Sequence, residues 1–206
     1  MDLRNVILVT HRWLGLASSA FLAIAGGTGV FLIWRERPFW EQNEWLVLAG
    51  RVSSPIHEHL ALGRVGMGRV GSLVVVAATG LAILIELGGL VLWWRKKILW
   101  VRPGTGWWRT CFDLHHLVGL IFLPLMLLLA VTGFAMGILD GEEHAELWRF
   151  LARLHKGNYP FPVDALYAMA SFGFVVQGLT GLAVWWRPTA ANKVRHEADE
   201  LTRSSV

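Results

Sequence analysis

Four long apolar runs dominate the chain, and charged residues bound each of them. The runs cover about residues 14–34, 72–94, 117–139 and 163–186. A helix needs about 20 apolar residues to cross the hydrocarbon core of a membrane. The pattern therefore predicts four transmembrane helices, here called spans one to four. The first run continues to Trp34, longer than the apolar part of a signal peptide, so we expect a retained helix.

The spans repeat in pairs, and a repeat of this kind is typical of paired sites between two halves. Spans one and three share four residues at an offset of 104: His11 and His115, Gly15 and Gly119, Thr28 and Thr132, Gly29 and Gly133. Spans two and four both end in Gly-x-x-x-Trp-Trp-Arg, beginning at Gly89 and Gly181, at an offset of 92. We predict an all-α integral membrane four-helix bundle of two parallel-repeated helix pairs. The pairs are residues 1–97 and 98–190, and 191–206 form a polar cytoplasmic tail.

Histidine and glycine recur on one face of spans one and three. His11 and Gly15 lie one helical turn apart, and His115 and Gly119 repeat that spacing. An imidazole can ligate a haem iron, and the glycine leaves room for the flat macrocycle. The competing interpretation is that small residues only let the helices pack closely.

A second set of histidines precedes the other two spans. His57 and His59 come before span two, and His155 comes before span four. We expect an inner ligand pair, His11 with His115, and an outer pair, His57 with His155. His59 and His116 are the adjacent alternatives. Two such centres stacked across the bilayer would form an electron path.

Composition narrows the classes of protein. The chain is 54% hydrophobic and only 17% charged, which favours lipid as its surroundings. The net charge of +4 is explained by basic loops, so we expect no nucleic acid partner. The one cysteine, Cys111, excludes a Cys-x-x-Cys-His haem attachment, so one or two haem b groups would be held non-covalently.

Basic residues and tryptophans orient the bundle. Of the 19 lysines and arginines, 11 lie in the N-terminal stretch, the loop between spans two and three, and the tail. The positive-inside rule then predicts that both termini are cytoplasmic. Tryptophans are expected to anchor both interfaces: Trp34, Trp40 and Trp45 outside, and Trp93, Trp94, Trp185 and Trp186 inside.

Two further sequence patterns bear on the function. Glu86 lies inside span two, where an unpaired carboxylate is costly, so a proton or cation pathway is an alternative function. Gln177 in span four is a candidate partner for it. The Gly-x-Gly-x-x-Gly pattern at 66–71 follows no predicted strand, so the dinucleotide-binding context is absent.

The motifs resemble the PepSY-associated transmembrane family. The matching segments are His11-Arg-Trp-Leu-Gly15, Asp113-Leu-His115-His-Leu-Val-Gly119, Thr180-Gly-Leu-Ala-Val-Trp-Trp-Arg187, the stretch from His57 to Gly63, and Leu154-His155. The resemblance implies an inner-membrane protein, and some members are ferric-siderophore reductases that bind b-type haem through such histidines. Two features depart from the family. The loop between spans one and two is too short for a PepSY domain, and Gly88-Gly89 replaces the Thr-Gly expected near the end of span two.

The function predicted is a haem b protein of the bacterial inner membrane that transfers electrons across it, for reduction of iron or a ferric siderophore. Such a protein would be a ferric reductase-like oxidoreductase. Its electron donor would be a quinol or a partner protein, because no flavin or nicotinamide domain is present. The alternatives are a non-redox adaptor or transport accessory subunit, and the pathway at Glu86. The sequence leaves open the acceptor, the number of haems, any catalytic residue and the oligomeric state, a homo-oligomer included.

Overall fold

The computed structural model describes residues 2–35, 38–60, 66–94, 99–102, 104, 106–139, 143–157, 160 and 162–204. All regular secondary structure in these ranges is helical. Three predicted features lie outside the described residues: the charged segment Arg95-Lys96-Lys97, the half boundary at 97/98, and Gly63.

Four of the helices are long and apolar enough to cross a membrane, which confirms the predicted spans. In chain order the helices are α1 (Leu3–Ile33), α2 (Pro38–Glu41), α3 (Glu44–His59), α4 (Gly68–Trp94), α5 (Trp107–Ile138), α6 (Ala145–Lys156) and α7 (Val163–Ser204). The spans are α1, α4, α5 and the Val163–Trp186 part of α7. Helices α1 and α5 begin earlier than predicted, so His11 and His115 lie inside them rather than at their starts.

The four spans pack as a closed ring. Helix α1 contacts α4 and α7, and α5 contacts the same two helices from the other side. The two histidine-bearing spans, α1 and α5, therefore lie diagonally across the bundle. Exchanging the halves exchanges α1 with α5 and α4 with α7 and leaves these contacts unchanged. A parallel duplication produces this arrangement.

Glycines allow α1 and α7 to approach at backbone distance. A Cβ atom on Gly26 would collide with the Ser171 carbonyl oxygen and lie 2.8 Å from the Phe174 Cβ. A Cβ on Gly178 would lie 2.5 Å from the Ser19 carbonyl oxygen. Small residues let membrane helices gain van der Waals contact where lipid provides no hydrophobic driving force.

Two short helices, α3 and α6, lie at the end of the bundle opposite the chain termini. Helix α3 packs on α1 and α4, and α6 packs on α5. Each ends just after a predicted histidine, because the next residues adopt a left-handed conformation: Leu60 at φ 50° and Gly157 at φ 59°. The sequence placed His57 and His155 before spans two and four but did not predict that helices carry them.

The outer surface of the ring is apolar, as contact with lipid requires. Large apolar side chains that are more than half exposed lie on α4, α5 and α7: Leu73, Leu84, Ile121, Phe172 and Leu179. One predicted interface anchor is wrong. Trp40 is only 3% exposed and packs against Gly50, whereas Trp45 is 78% exposed.

Candidate functional site: two opposed histidine pairs

The structure brings four of the predicted ligands together as two pairs. The rings of His11 and His115 lie edge to face, with centroids 6.4 Å apart and planes at 78°. Those of His57 and His155 lie 6.0 Å apart with planes at 51°. We call His11 and His115 the terminal pair, because it lies toward the chain termini, and His57 and His155 the loop pair.

Each pair opens onto a cavity inside the bundle. The terminal cavity has a volume of about 320 Å³, and the loop cavity has about 530 Å³. Leu22, Ala82 and Phe174 line both cavities. One layer of side chains therefore separates the two sites, and both fall within the size range of cofactor pockets.

Every Nδ1 atom of the two pairs has a hydrogen-bond partner. Three partners are threonine hydroxyls: Thr28 to His57 at 3.0 Å, Thr132 to His155 at 3.0 Å, and Thr180 to His115 at 3.1 Å. His11 Nδ1 lies 3.0 Å from the carbonyl oxygen of Ile85, and His155 Nδ1 lies 3.0 Å from the carbonyl oxygen of Leu129 as well. A ligating histidine usually donates its second ring N–H in this way, which fixes the ring and leaves Nε2 free.

The direction of these bonds follows from the threonines. Thr28, Thr132 and Thr180 each donate their hydroxyl proton to a carbonyl four residues earlier, at 2.8, 2.7 and 2.6 Å. A hydroxyl has one proton, so it accepts from the imidazole N–H. All four histidines therefore carry their proton on Nδ1, and the lone pair lies on Nε2.

Each histidine ring also packs against a glycine: the one that follows each of the three threonines, and Gly89 for His11. A Cβ at these glycines would lie close to an imidazole Cε1: Gly29 at 3.6 Å from His57, Gly133 at 3.0 Å from His155, Gly89 at 3.3 Å from His11, and Gly181 at 3.4 Å from His115. The Thr-Gly dipeptides at 28–29, 132–133 and 180–181 thus each hold one histidine. At the fourth histidine, His11, the corresponding dipeptide is Gly88-Gly89.

Gly15 and Gly119, the glycines predicted to leave room for the macrocycle, both line the terminal cavity. A Cβ on Gly15 would meet no atom within 4 Å, so this position opens onto free space. A Cβ on Gly119 would lie 3.0 Å from Nε2 of Gln177, so this glycine also lets that amide approach α5.

The alternative histidines have other contacts. His59 Nδ1 lies 2.9 Å from the Ser72 hydroxyl, and this ring lines the loop cavity. His116 Nδ1 donates to the Phe112 carbonyl of its own helix at 2.8 Å. The geometry thus favours His57 over His59 and His115 over His116 as the opposed residues.

Comparison with known proteins identifies part of this arrangement. The model of the PepSY-associated TM region matches residues 50–148. This segment belongs to the PepSY-associated TM family. No curated protein and no solved structure gives a significant match to the chain.

The PepSY-associated TM segment contains one histidine of each pair. His57 and His115 fall inside 50–148, whereas His11 and His155 lie outside it. Both pairs therefore depend on contacts between the family segment and the flanking helices.

The loop-pair histidines lie outside the spans, and their surroundings keep them neutral. Burial lowers the pKa of His57 below its usual value. Burial, together with the neighbouring His57, lowers the pKa of His155 to about 4. A neutral imidazole is the form that ligates a metal.

Within the family segment, Glu86 lines the terminal cavity, and both of its carboxylate oxygens are buried without a hydrogen-bond partner in the described part of the chain. The suggested partner was wrong, because Gln177 donates instead to the His115 carbonyl oxygen at 2.6 Å. Glu86 is thus a polar group facing the same cavity as the terminal pair.

Asp113, two residues before His115, anchors the start of α5 and was not predicted to do so. It is fully buried and accepts two side-chain hydrogen bonds from Arg102, at 3.0 and 2.8 Å. Arg109 Nε lies 3.2 Å from Asp113 Oδ1, which also accepts from Arg102. This ion-pair group ties the preceding loop to the helix that carries His115.

Proposed function

We propose that this chain binds two haem b groups non-covalently, one at each histidine pair, and carries electrons across the bacterial inner membrane. The observation that carries the proposal is the presence of two histidine pairs at the two ends of one bundle, with every Nδ1 hydrogen-bonded. The family to which the 50–148 segment belongs supports a membrane role.

The pairs fit a haem iron. An imidazole nitrogen lies about 2 Å from a metal that it ligates, so two rings on opposite sides of one metal lie about 6 Å apart between centroids. The observed separations are 6.4 and 6.0 Å. Among the described residues no group of three or more His, Cys, Asp or Glu could hold a metal ion. Each pair supplies two nitrogens, which suits an iron whose remaining positions a porphyrin fills.

Haem would supply a reversible one-electron change at its iron. The chain's own groups would hold and orient it. The histidines would hold the iron through their Nε2 atoms, and the apolar linings would exclude water. Basic side chains line each cavity and would pair with the two carboxylates of the cofactor: Arg4 and Arg12 at the terminal cavity, and Arg35 and Lys156 at the loop cavity.

The shared layer between the cavities supports an electron path. Leu22, Ala82 and Phe174 line both cavities, so the two sites are neighbours along the bundle axis. With both termini cytoplasmic, electrons would enter at the terminal pair from a quinol or a partner protein. They would leave at the loop pair for an external acceptor such as a ferric siderophore.

The test is a reduced-minus-oxidised absorption spectrum of protein expressed with haem supplied, together with a haem count per chain. We expect two haems. His11→Ala and His115→Ala should lose the same one, and His57→Ala and His155→Ala should lose the other. His116→Ala and His59→Ala are the matched controls and should retain both. Purified folded protein without a haem signal would contradict the proposal.

A second function, a proton or cation pathway, is favoured by Glu86. Its carboxylate faces the terminal cavity with neither oxygen hydrogen-bonded in the described chain. A polar group in this position is usually functional in a membrane protein. We expect Glu86→Gln to abolish proton uptake on reduction, measured with a pH-sensitive dye, while the haem spectrum persists. Unchanged proton uptake in this variant would remove Glu86 from the pathway.

A further inference from the structure

Helix α6 forms part of the wall of the loop cavity with one of its faces. Trp148, Ala152 and His155 follow each other at spacings of four and three residues, and all three line that cavity. Such spacing places them on one face of a helix. Two other faces of α6 carry side chains that do not line the cavity, and one of these faces is apolar and the other basic.

The apolar face of α6 is exposed. Leu147 and Phe150 lie three residues apart, which makes them neighbours on the helix surface. They are 49% and 57% exposed although α6 packs on α5. Ile138, the last residue of α5, is 60% exposed, so the lipid-facing surface of the ring continues to the end of that helix. Helix α6 begins at Ala145, seven residues later, and its apolar face therefore lies where hydrocarbon gives way to lipid headgroups.

The basic face lies beside the apolar one. Arg149 and Arg153 are exposed and lie one helical turn apart. Besides His155, the helix carries three basic residues and one acidic residue, Glu146. Exposed leucine and phenylalanine on one face with arginine on the next are typical of helices that lie in the membrane interface. Because guanidinium groups form paired hydrogen bonds with phosphate, the charge of this face suits an anionic headgroup.

Helix α3, the counterpart of α6 in the first half of the chain, also exposes apolar side chains but lacks this charge. It has one basic residue, Arg51, and two acidic residues, Glu44 and Glu58, besides its histidines. Arg51 corresponds to Arg149 at the 98-residue offset that matches the two loop-pair histidines. The repeat thus supplies a matched helix whose charge is of the opposite sign.

We propose that α6 is an interfacial helix that binds anionic phospholipid, with Arg149 and Arg153 on the headgroup phosphate and with Leu147 and Phe150 among the acyl chains. The lipid would lie against the helix whose opposite side walls the loop cavity. This inference concerns lipid contact and does not rest on the haem function proposed above.

The experiment titrates the full chain in detergent with phosphatidylglycerol, or with zwitterionic phosphatidylcholine of the same acyl chains, and counts bound lipid by native mass spectrometry. Since each arginine near an anionic headgroup contributes about fivefold in affinity, we expect phosphatidylglycerol to bind about 25-fold more tightly. The double variant Arg149→Gln/Arg153→Gln should bind the two lipids equally. Arg51→Gln on α3 is the matched control and should keep the wild-type preference. All three arginines are exposed, so these variants should fold.

Phe150→Ser tests the apolar face. It should weaken the binding of both lipids and leave their ratio unchanged, because the acyl chains are the same.

Equal affinities of the wild-type chain for the two lipids would overturn the inference and favour an acidic protein surface as the partner of the arginines. A double variant that keeps the preference, an Arg51→Gln variant that loses it, or a Phe150→Ser variant with unchanged affinities would overturn it as well. A chain that prefers phosphatidylglycerol but binds no haem would contradict the proposed function and leave this inference standing.

Discussion

At the residue scale, each histidine depends on two small neighbours that do not touch the expected ligand. At three of the four histidines a threonine hydroxyl contacts Nδ1, and the glycine that follows the threonine lets the ring approach the helix. At Thr132 and Gly133 both contacts are made to His155. Because the ring has few other orientations left, the protein's own contacts fix its position.

Thr132→Val removes the hydroxyl and keeps the shape of the side chain. We expect haem affinity at the loop pair to fall about 10- to 100-fold, since an outer partner of a ligating histidine has been lost. Haem titration of the purified protein measures this. Thr79→Val is the matched control, because the Thr79 hydroxyl makes the same bonds to its own helix and lines the same cavity. Equal losses in the two variants would show that the Thr132 contact has no special role.

At the element scale, the short helices α3 and α6 position the loop pair at one end of the four-helix bundle: His57 lies in α3 and His155 in α6. Left-handed residues end both helices just beyond His57 and His155. Gly157 also packs tightly, because a Cβ there would lie 2.5 Å from the Tyr167 ring. The end of α6, and with it His155, is therefore fixed by a residue that needs to be glycine.

Gly157→Ala should displace the end of α6. A non-glycine residue in the left-handed region costs about 1–2 kcal/mol, and the new methyl group would also push on Tyr167. We expect the loop-side haem to be lost or weakened while the terminal-side haem remains, as read from the spectrum. Gly66→Ala is the control, since Gly66 has φ 77° with nothing within 4 Å of an added Cβ. A loss of the terminal-side haem instead would contradict this account.

Gly26→Ala tests the contact between α1 and α7. The added methyl group would meet the backbone of α7 at Ser171, which cannot rotate away, so we expect a loss of about 1–3 kcal/mol. Gly27→Ala is a control in the same turn, because its Cβ would lie 4.0 Å from the nearest atom, a Val175 methyl group. Thermal unfolding in detergent should rank Gly26→Ala clearly below Gly27→Ala. The reverse order would mean that α1 and α7 are not in backbone contact.

At the scale of the whole molecule, the closed ring places two sites in one bundle and one layer of side chains between them. Each pair joins residues from different halves of the chain, so neither half makes a site alone. Ala82 is only 1% exposed and lines both cavities, as Leu22 and Phe174 also do. The two cavities therefore share one wall of side chains.

Ala82→Phe should fill part of both cavities at once. We expect the occupancy of both haems to fall together, unlike the loss of one haem expected from each histidine variant. Haem per chain, measured by absorbance against protein concentration, gives the result. Ala77→Phe on the exposed face of the same helix is the control and should keep both haems. Loss of one haem alone would contradict the shared wall.

The pairing of the histidines could be predicted because a duplicated helix pair repeats its contacts. The offset of 104 matched His11 with His115, and the preceding segments matched His57 with His155. The contact of Gln177 and the role of Thr180 beside His115 could not be predicted this way. A side chain in a helix can contact either neighbour in the ring, and Gln177 turned to a carbonyl of α5 rather than to Glu86. The Thr79-Gly80 dipeptide illustrates the same limit, since its glycine packs on Phe134 and not on a histidine.

The sequence by itself determined the four spans, their pairing and the residue types at the candidate sites, because apolar length and repeat spacing depend only on local order along the chain. The tertiary structure decided which ring nitrogen is held, by what, and how far apart the rings lie. Those distances depend on how α1, α4, α5 and α7 close into a ring, and on the left-handed residues that end α3 and α6. The departure at Gly88 was visible in the sequence, whereas the contacts of His11 and His155 with helix carbonyls were visible only in the structure.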